Sequence, residues 1–582
     1  MSDRTPLPSA PPNASCTVLL ERACTAHSAK RLSEAEQLYR EYLAIKPDDA
    51  KALHNLGVVG LQMGQVEAAI SLIRRSLEID EASADAQCNL GLALKQVGHL
   101  EAAEQAYRSA IAIDPMIVDA HSNLGVLLKD MHRADEARVA FRAAVALSPD
   151  NGCVLSNFGL LEVQEERPVE ALEYFEAAAK SEPDNAQILA NLGGLLADQG
   201  RYLDAIDCLE KAYFLEHFEA HIPFNLGRCY FAIGQLERAI ASYQAALDLD
   251  AEFASAHHNL GHALLAAGRL EEGWREYKWR WRSPHYHDGR MLPHARVWCG
   301  EKLDGRHLLI WSEQGVGDKL LFASLIPEVL ESGAKVTLET EPRLVRLFQR
   351  SFPGINVITD FSDGAVYDYQ IPLGDLPSLF RVSQTSFGPA PPYLMPDADS
   401  VDELRSKYRH GTEMLVGLSW ASRPPKGIDL NTLAPLFRMP GVRVVNLQYG
   451  TRSSEIRSFE RAVAGIPTPA FLTDGDIDPL ADVDSFVAQV AAMDAVVTIQ
   501  NTTLYAAGGV GAPTFAILPP VPDWRWLGRC WESPWHDNVR LYPRSGFRGA
   551  VQNDSPVNTQ LDHIIADICN NLRALKASET VG

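Results

Sequence analysis

Among 582 residues there is no run of 18 apolar ones. A helix needs about 20 to cross a bilayer, so no membrane span is expected. The nine cysteines stand singly and none form a C-x-x-C pair. That argues against a zinc site or a disulfide frame and for reduced, packed thiols in a cytoplasmic protein. Basic charge is scarce: 53 Lys and Arg stand against 75 Asp and Glu, for a net charge of −22. Such a balance disfavours nucleic acid as a partner and an anionic membrane as a resting surface. Residues 1–15, MSDRTPLPSAPPNAS, have no apolar core behind a basic start. They are expected to be a short disordered lead and not a secretory signal. A hydrophobic fraction of 46% is ordinary for a globular protein. The length exceeds what one core can bury, so two or more domains are expected.

What the chain does have is a beat. Asn-Leu-Gly or Asn-Phe-Gly recurs seven times in steps of 34, opening at Asn55, Asn89, Asn123, Asn157, Asn191, Asn225 and Asn259. Small residues keep the same phase at Ala69, Ala103, Ala137, Ala171, Ala205, Ala239 and Gly273. Four positions further on come Ile73, Tyr107, Phe141, Phe175, Leu209, Tyr243 and Tyr277. Pro115, Pro149 and Pro183 stand where second helices must stop. A degenerate unit with Ala23, Ala35 and Glu36 precedes the first clear one, giving about eight helix pairs over 16–285. The pattern resembles a tetratricopeptide array, an α-solenoid whose small residues let helices approach while large ones fill the space between pairs.

Equivalent phases of a solenoid face one way, so the seven asparagines form a ladder on one surface. Their amides suit the backbone of an extended acceptor peptide. The plainer reading makes them consensus residues bonding one repeat to the next. A similar ladder holds peptides in protein O-linked N-acetylglucosamine transferases. The last unit ends in LEEGWREYKWRW, 270–281, with too much aromatic surface for a free end, so it is expected to seat the next domain.

From 286 onward strands alternate with helices: apolar runs at 307–312, 335–340 and 356–359 enclose helical stretches at 319–330 and 343–350. This predicts a parallel sheet covered on both faces, with ligands at the carboxyl ends of its strands. The turn after the first strand is EQGVGD, 313–318, where Gly315 and Gly317 permit close backbone approach and a helix start favours an anion. Alternatively, Asp318 only caps that helix. A second series follows the PAPPY linker at 389–393: strands at 414–420, 442–448, 494–499 and 513–518. Arg423 and Lys426 lie in the loop after its first strand, Gln448 ends the second, and QNTT, 500–503, opens a short helix.

The stretch WSEQGVGDKLLFASLIPEVLESGAKVTLETEPRLVRLFQRSFPGINVI resembles the first half of heptosyltransferase-like glycosyltransferases of the GT-B type. Residues 414–535, with PDWRW and SPW, are similar to the second half of tetratricopeptide-fused bacterial glycosyltransferases. The resemblance implies two Rossmann-like lobes, 286–395 and 396–582, and makes Asp318 the base that deprotonates the acceptor hydroxyl. It places donor phosphate near Gly315, Gly317, Arg423, Lys426, Gln448, Gln500, Asn501, Thr502, Thr503 and Tyr505. The family pattern has Asp-Thr and then His where this chain has Gln500, Asn501 and Tyr505, so a charged imidazole is missing and catalysis itself is left open. No D-x-D pair stands in a donor-site context, so neither metal nor cofactor is expected beyond the nucleotide sugar. The implied function is sugar transfer to Ser or Thr of a protein acceptor, flagellin being one class. The alternatives are transfer in surface-polysaccharide assembly, or a repeat scaffold without catalysis.

Overall fold

The computed structural model describes residues 12–579 apart from 283–290, 293, 362–364, 389, 424–425, 451, 464–465, 467–469, 528–530 and 545–556. Eight helix pairs run from Pro12–Ser28 with Leu32–Ile45 to Ala254–Ala266 with Leu270–Tyr277. Of the expected lead at 1–15, residues 1–11 lie outside the described residues and 12–15 already belong to the first helix. Pro12 can open that helix because its missing N–H would have no partner there.

The repeat physics is visible at two positions per unit. A β-carbon on Gly91 would lie 2.7 Å from the Tyr107 ring, and one on Gly125 would lie 2.8 Å from Phe141. The large residue of the second helix therefore lies directly against the glycine of the first. In the turn between the helices one residue is left-handed: Lys30, Gly64, Gly98, His132, Glu166, Gly200, Gly234 and Gly268, again 34 apart. Glycine holds five of these eight positions because no β-carbon opposes a positive φ.

The chain forms two compact units, 1–217 and 218–582. The first holds six helix pairs. The second holds the last two pairs and two five-stranded sheets. β1 (Arg296–Val297), β2 (His307–Trp311), β3 (Lys335–Glu339), β4 (Asn356–Ile358) and β5 (Tyr369–Pro372) lie in the order β1-β5-β2-β3-β4. β6 (Met414–Ser419), β7 (Val442–Asn446), β8 (Ala495–Ile499), β9 (Thr514–Leu518) and β10 (Val539–Pro543) lie in the order β10-β9-β8-β6-β7. Every pairing within these sheets is parallel. β6, β8 and β9 are buried along their whole length, as strands covered on both faces must be. The helix expected at 319–330 is broken into Val316–Phe322, a 3₁₀ turn and Ile326–Leu330, because Pro327 cannot donate to a continuing helix. One core runs from Leu265 and Trp274 of the last helix pair through Leu308 and Ile310 to Val496, Leu504 and Trp535.

Candidate functional site

In each sheet the strand order reverses beside the strand that comes first in the centre, and a crevice opens at that reversal. In the first sheet it lies between β2 and β5. The chain leaves β2 as Ser312 to Gly315 and enters the Val316–Phe322 helix, whose N-cap is Gly315. Asp318 sits within the first turn, so the cap alternative for it does not hold: the turn needs a residue before the helix, and Gly315 supplies it. Glu313 turns inward, its side chain 2% exposed, and meets Arg280 at 3.1 Å. Arg280 is fully buried and reaches Asp375 after β5 at 2.6 Å. Burial alone would lower the guanidinium's pKa, but Asp375, Tyr277 and Glu313 outweigh it and hold it above its ordinary value. Burial raises Glu313 in spite of Arg280. Gln314 Nε2 donates to Tyr277 Oη at 2.9 Å, and Trp274 Nε1 donates to the Arg381 carbonyl at 2.7 Å. The aromatic end of the repeats is thus the seat of the first sheet, as its composition predicts. Trp279 differs, stacking on His257 at 3.8 Å within its own repeat.

In the second sheet the crevice lies between β6 and β8. Asn501 caps the Thr502–Val510 helix, accepting from Thr503 N at 3.1 Å and donating to Ser419 Oγ at 2.8 Å. Gln448 accepts from Trp420 N and Ala421 N at 3.0 and 2.8 Å and donates to two carbonyls. Two of the three amides expected at the donor, Gln448 and Asn501, are therefore spent on holding the loop. Gln500 Oε1 and Thr503 Oγ1 are buried without a hydrogen-bond partner. Thr502 and Lys426 are half-buried and Arg423 is exposed.

The two crevices' loops meet. A β-carbon on Gly317 would lie 3.0 Å from the Tyr505 ring and 3.5 Å from Thr502 Oγ1, so Gly317 is what permits the approach. Tyr505 stacks on Trp526 with centroids 6.2 Å apart. Asp318 Oδ1 pairs with Arg525 Nη2 at 2.6 Å, and Arg525 Nη1 pairs with Asp523 Oδ1, also at 2.6 Å. Burial would raise Asp523, but Arg525, His262 and Lys426 hold it below the usual carboxylate range. Burial, helped by His258, pushes His262 of the last repeat down to about 3, so it stands neutral. Beside this junction a cavity of about 540 Å³ is lined by Glu341, Arg343, Arg346, Asp482 and Asp484. Its Glu341 accepts from Lys319 at 2.7 Å.

The sequence singles out neither Arg280 nor Asp375, and offers Asp523 and Arg525 only within the PDWRW stretch. The available signal was a shared tripeptide, Trp-Arg-Trp, at 279–281 and at 524–526.

The ladder asparagines are half-buried. Asn89 Nδ2 lies 2.9 Å from His54 Nε2, Asn123 Nδ2 donates to Cys88 Sγ at 3.8 Å, and Asn191 Nδ2 to Ser156 Oγ at 3.1 Å. Asn55 bonds Tyr39 and Asn259 bonds Tyr243. Asn225 Oδ1 accepts from Arg228 at 3.1 Å. At least five of these amides serve contacts between successive repeats, the plainer of the two expected roles.

Models of the tetratricopeptide repeat match residues 26–90, 88–152 and 157–217, and a further TPR-repeat model matches 227–268. The chain carries tetratricopeptide repeats. It is 33% identical over 299 residues to protein FlbA of Caulobacter vibrioides, covering 47% of this chain. The chain spans about half the length of that relative, 49%. Among solved structures, Pseudomonas aeruginosa pilF is 25% identical, covering 36% of this chain and 94% of its own, with a TM-score of 0.33. YrrB, described as a TPR protein with an unusual peptide-binding site, is 22% identical over 32% of this chain and 96% of its own, with a TM-score of 0.27. No helix among the described residues is long and apolar enough to cross a membrane.

Proposed function

We propose that this chain is a glycosyltransferase that moves a sugar from a nucleotide-sugar donor to a hydroxyl of a protein acceptor recruited by the repeats. The observation that carries this reading is the placement of Asp318. It stands in the first turn of the helix that follows β2 and pairs with Arg525, which follows β9, while its neighbour Gly317 lies against Thr502 and Tyr505 of the helix that follows β8. The carboxyl ends of parallel strands are where such sheets bind ligands. A carboxylate there takes the acceptor's hydroxyl proton as the oxygen bonds to the anomeric carbon. The bond from that carbon to the donor phosphate breaks, and its electron pair leaves with the nucleotide. The leaving charge is met by Arg423, Lys426 and the N-terminus of the Thr502–Val510 helix. Flagellin remains a candidate acceptor and the cytoplasm the expected place of action. Side chains neighbouring the ladder, with the Oδ1 atoms of Asn89 and Asn123, contact the acceptor, since several Nδ2 atoms and the Oδ1 atoms of Asn191 and Asn225 are already engaged.

The test is transfer from a panel of nucleotide sugars to candidate acceptors, read by intact mass. Asp318→Asn is expected to keep its melting curve and lose about 10²–10⁴-fold in rate, the usual contribution of a positioned base. Wild-type rate in that variant removes Asp318 from the chemistry. A second reading, a scaffold without catalysis, is favoured by the Tyr505 ring lying against Gly317. It prevails if the wild type adds no mass to any acceptor it binds.

A further inference from the structure

The tripeptide Trp-Arg-Trp occurs at 279–281 and 524–526, each time on a 3₁₀ turn. Each arginine is gripped by two carboxylates: Arg280 by Glu313 and Asp375, Arg525 by Asp318 and Asp523. The clamps hold the two ends of one strand-to-helix connection, Glu313 in the loop and Asp318 in the first turn of the helix behind it. We propose that Arg525 is the positioning residue for the reaction's base, an inference that rests on the glycosyl-transfer reading.

The geometry limits what Arg525 can do. Its Nη2 takes Asp318 Oδ1, leaving Oδ2 for the acceptor proton. Its Nη1 is held by Asp523, so the fork cannot turn about its stem. Trp524 lies under the guanidinium at 4.5 Å and Phe322 at 5.9 Å. A planar fork anchored at one end fixes the direction of whatever it holds at the other, which a lysine cannot do. Charge decides against the rival role of gripping donor phosphate. Two carboxylates surround one guanidinium, so the clamp carries excess negative charge and repels a phosphate while suiting a proton acceptor. Arg525 therefore acts through Asp318 and does not itself touch substrate.

The experiment uses the full chain and three variants, Arg525→Lys, Asp318→Asn and the double. Arg525→Lys keeps a cation between the carboxylates, so it folds where a neutral residue would strand them. With the base misaimed, kcat is expected to fall about 10²-fold, with the donor KM unchanged. The double variant is expected to be no slower than Asp318→Asn, since nothing is left to position. Asp523→Asn, which frees the far end of the fork, should give a smaller loss of kcat with the same unchanged KM. A wild-type kcat in Arg525→Lys overturns the inference, as does a loss confined to donor KM or a double variant in which both losses multiply. If the wild type transfers no sugar, the glycosyl-transfer reading falls and this inference with it. An active wild type beside an indifferent Arg525→Lys removes only the inference.

Discussion

Residues 1–217 and 218–582 bury different things. The first unit buries alanine, leucine and one aromatic or aliphatic wedge per repeat, set by contacts between neighbouring helices. The second unit also contains repeats, but two of its buried arginines each bridge two acids, Arg280 to Glu313 and Asp375 and Arg525 to Asp318 and Asp523, and His258, His262 and His536 are kept neutral. The first unit's stability is a sum of similar local terms. The second depends on a few pairs whose loss strands an ion away from water. That difference can be broken or sharpened by matched substitutions.

The largest effect is expected at Arg280. Arg280→Met leaves the enclosed Glu313 carboxylate and the half-buried Asp375 without their cation, and should cost about 3–5 kcal/mol. The counterpart in the first unit is Arg138, paired with buried Glu162 at 2.8 Å while its other partner, Asp135, is fully exposed. Arg167 stands 3.9 Å from the same Glu162 and can take over, so Arg138→Met should cost about 1–3 kcal/mol. Urea unfolding followed by hydrogen exchange in each region measures both. Equal losses would mean that the units do not differ in how they carry buried charge.

Acid should separate the units next. Burial pushes His258 down to about 4 and His262 and His536 down to about 3, all in the second unit. An unfolded histidine takes its proton near 6.5, so below that pH the unfolded state binds more protons than the folded one. Stability then falls by about 1.4 kcal/mol per pH unit per histidine until the folded value is reached. In the first unit, His54 is also lowered by burial, but it is the one histidine there with a resolved shift among the described residues. Exchange protection at pH 4.5 relative to pH 7 should drop more in 218–582. A uniform drop would assign the acid response to surface carboxylates shared by both.

Glycines give a third contrast. Gly91→Ala sets a methyl 2.7 Å from the Tyr107 ring, which can tilt, so a loss of about 1 kcal/mol is expected. Gly261→Ala sets it 2.6 Å from the backbone nitrogen of Tyr277, which cannot move without shifting the helix that seats the first sheet. About 3 kcal/mol is expected there. Thermal melts of the two variants compare them directly, and a smaller shift for Gly261→Ala would contradict the packing argument.

The same contrast explains what was legible in the sequence. The repeats announce themselves because every constraint recurs: Gly91 needs Tyr107 to lie against it, and the identical pair stands 34 residues on as Gly125 and Phe141. The sheets were legible where strands are continuous apolar runs, as at β2, β6 and β8. β1, β5 and β10 were not: β1 has two residues, and Gln370 and Arg540 break the apolar run in the other two. Asp318 and the Thr502–Val510 helix start were found as turns beside strands, but their meeting through Gly317 and Tyr505 joins residues 188 apart and leaves no mark on either stretch. The clamps escaped because an ion pair joining residues 95 apart, such as Arg280 and Asp375, leaves no mark on either residue's neighbours. Gln448 and Asn501 look like ligand-binding amides in sequence, yet backbone groups of the adjoining loops occupy them.

The smallest effect concerns the turns within helix pairs. His132 and Glu166 hold left-handed backbones at φ 58° and 56°, where five other repeats place glycine. The left-handed conformation costs an L-residue roughly 1–2 kcal/mol. Glycine's extra freedom in the unfolded chain returns roughly 0.5–1 kcal/mol of that. His132→Gly and Glu166→Gly should therefore each stabilise the first unit by about 0.5 kcal/mol, a small upward shift in its melting temperature. The reverse change sharpens the comparison. A β-carbon on Gly98 meets nothing within 4 Å, so Gly98→Ala costs only the backbone term. On Gly268, in the second unit, it would meet Gln384 Nε2 at 2.9 Å, so Gly268→Ala carries a side-chain displacement as well. The same turn at the same phase of the repeat should then tolerate substitution less in the second unit than in the first. Equal losses at 98 and 268 would show that Gln384 yields freely, and that a repeat turn answers only to its own backbone wherever it lies.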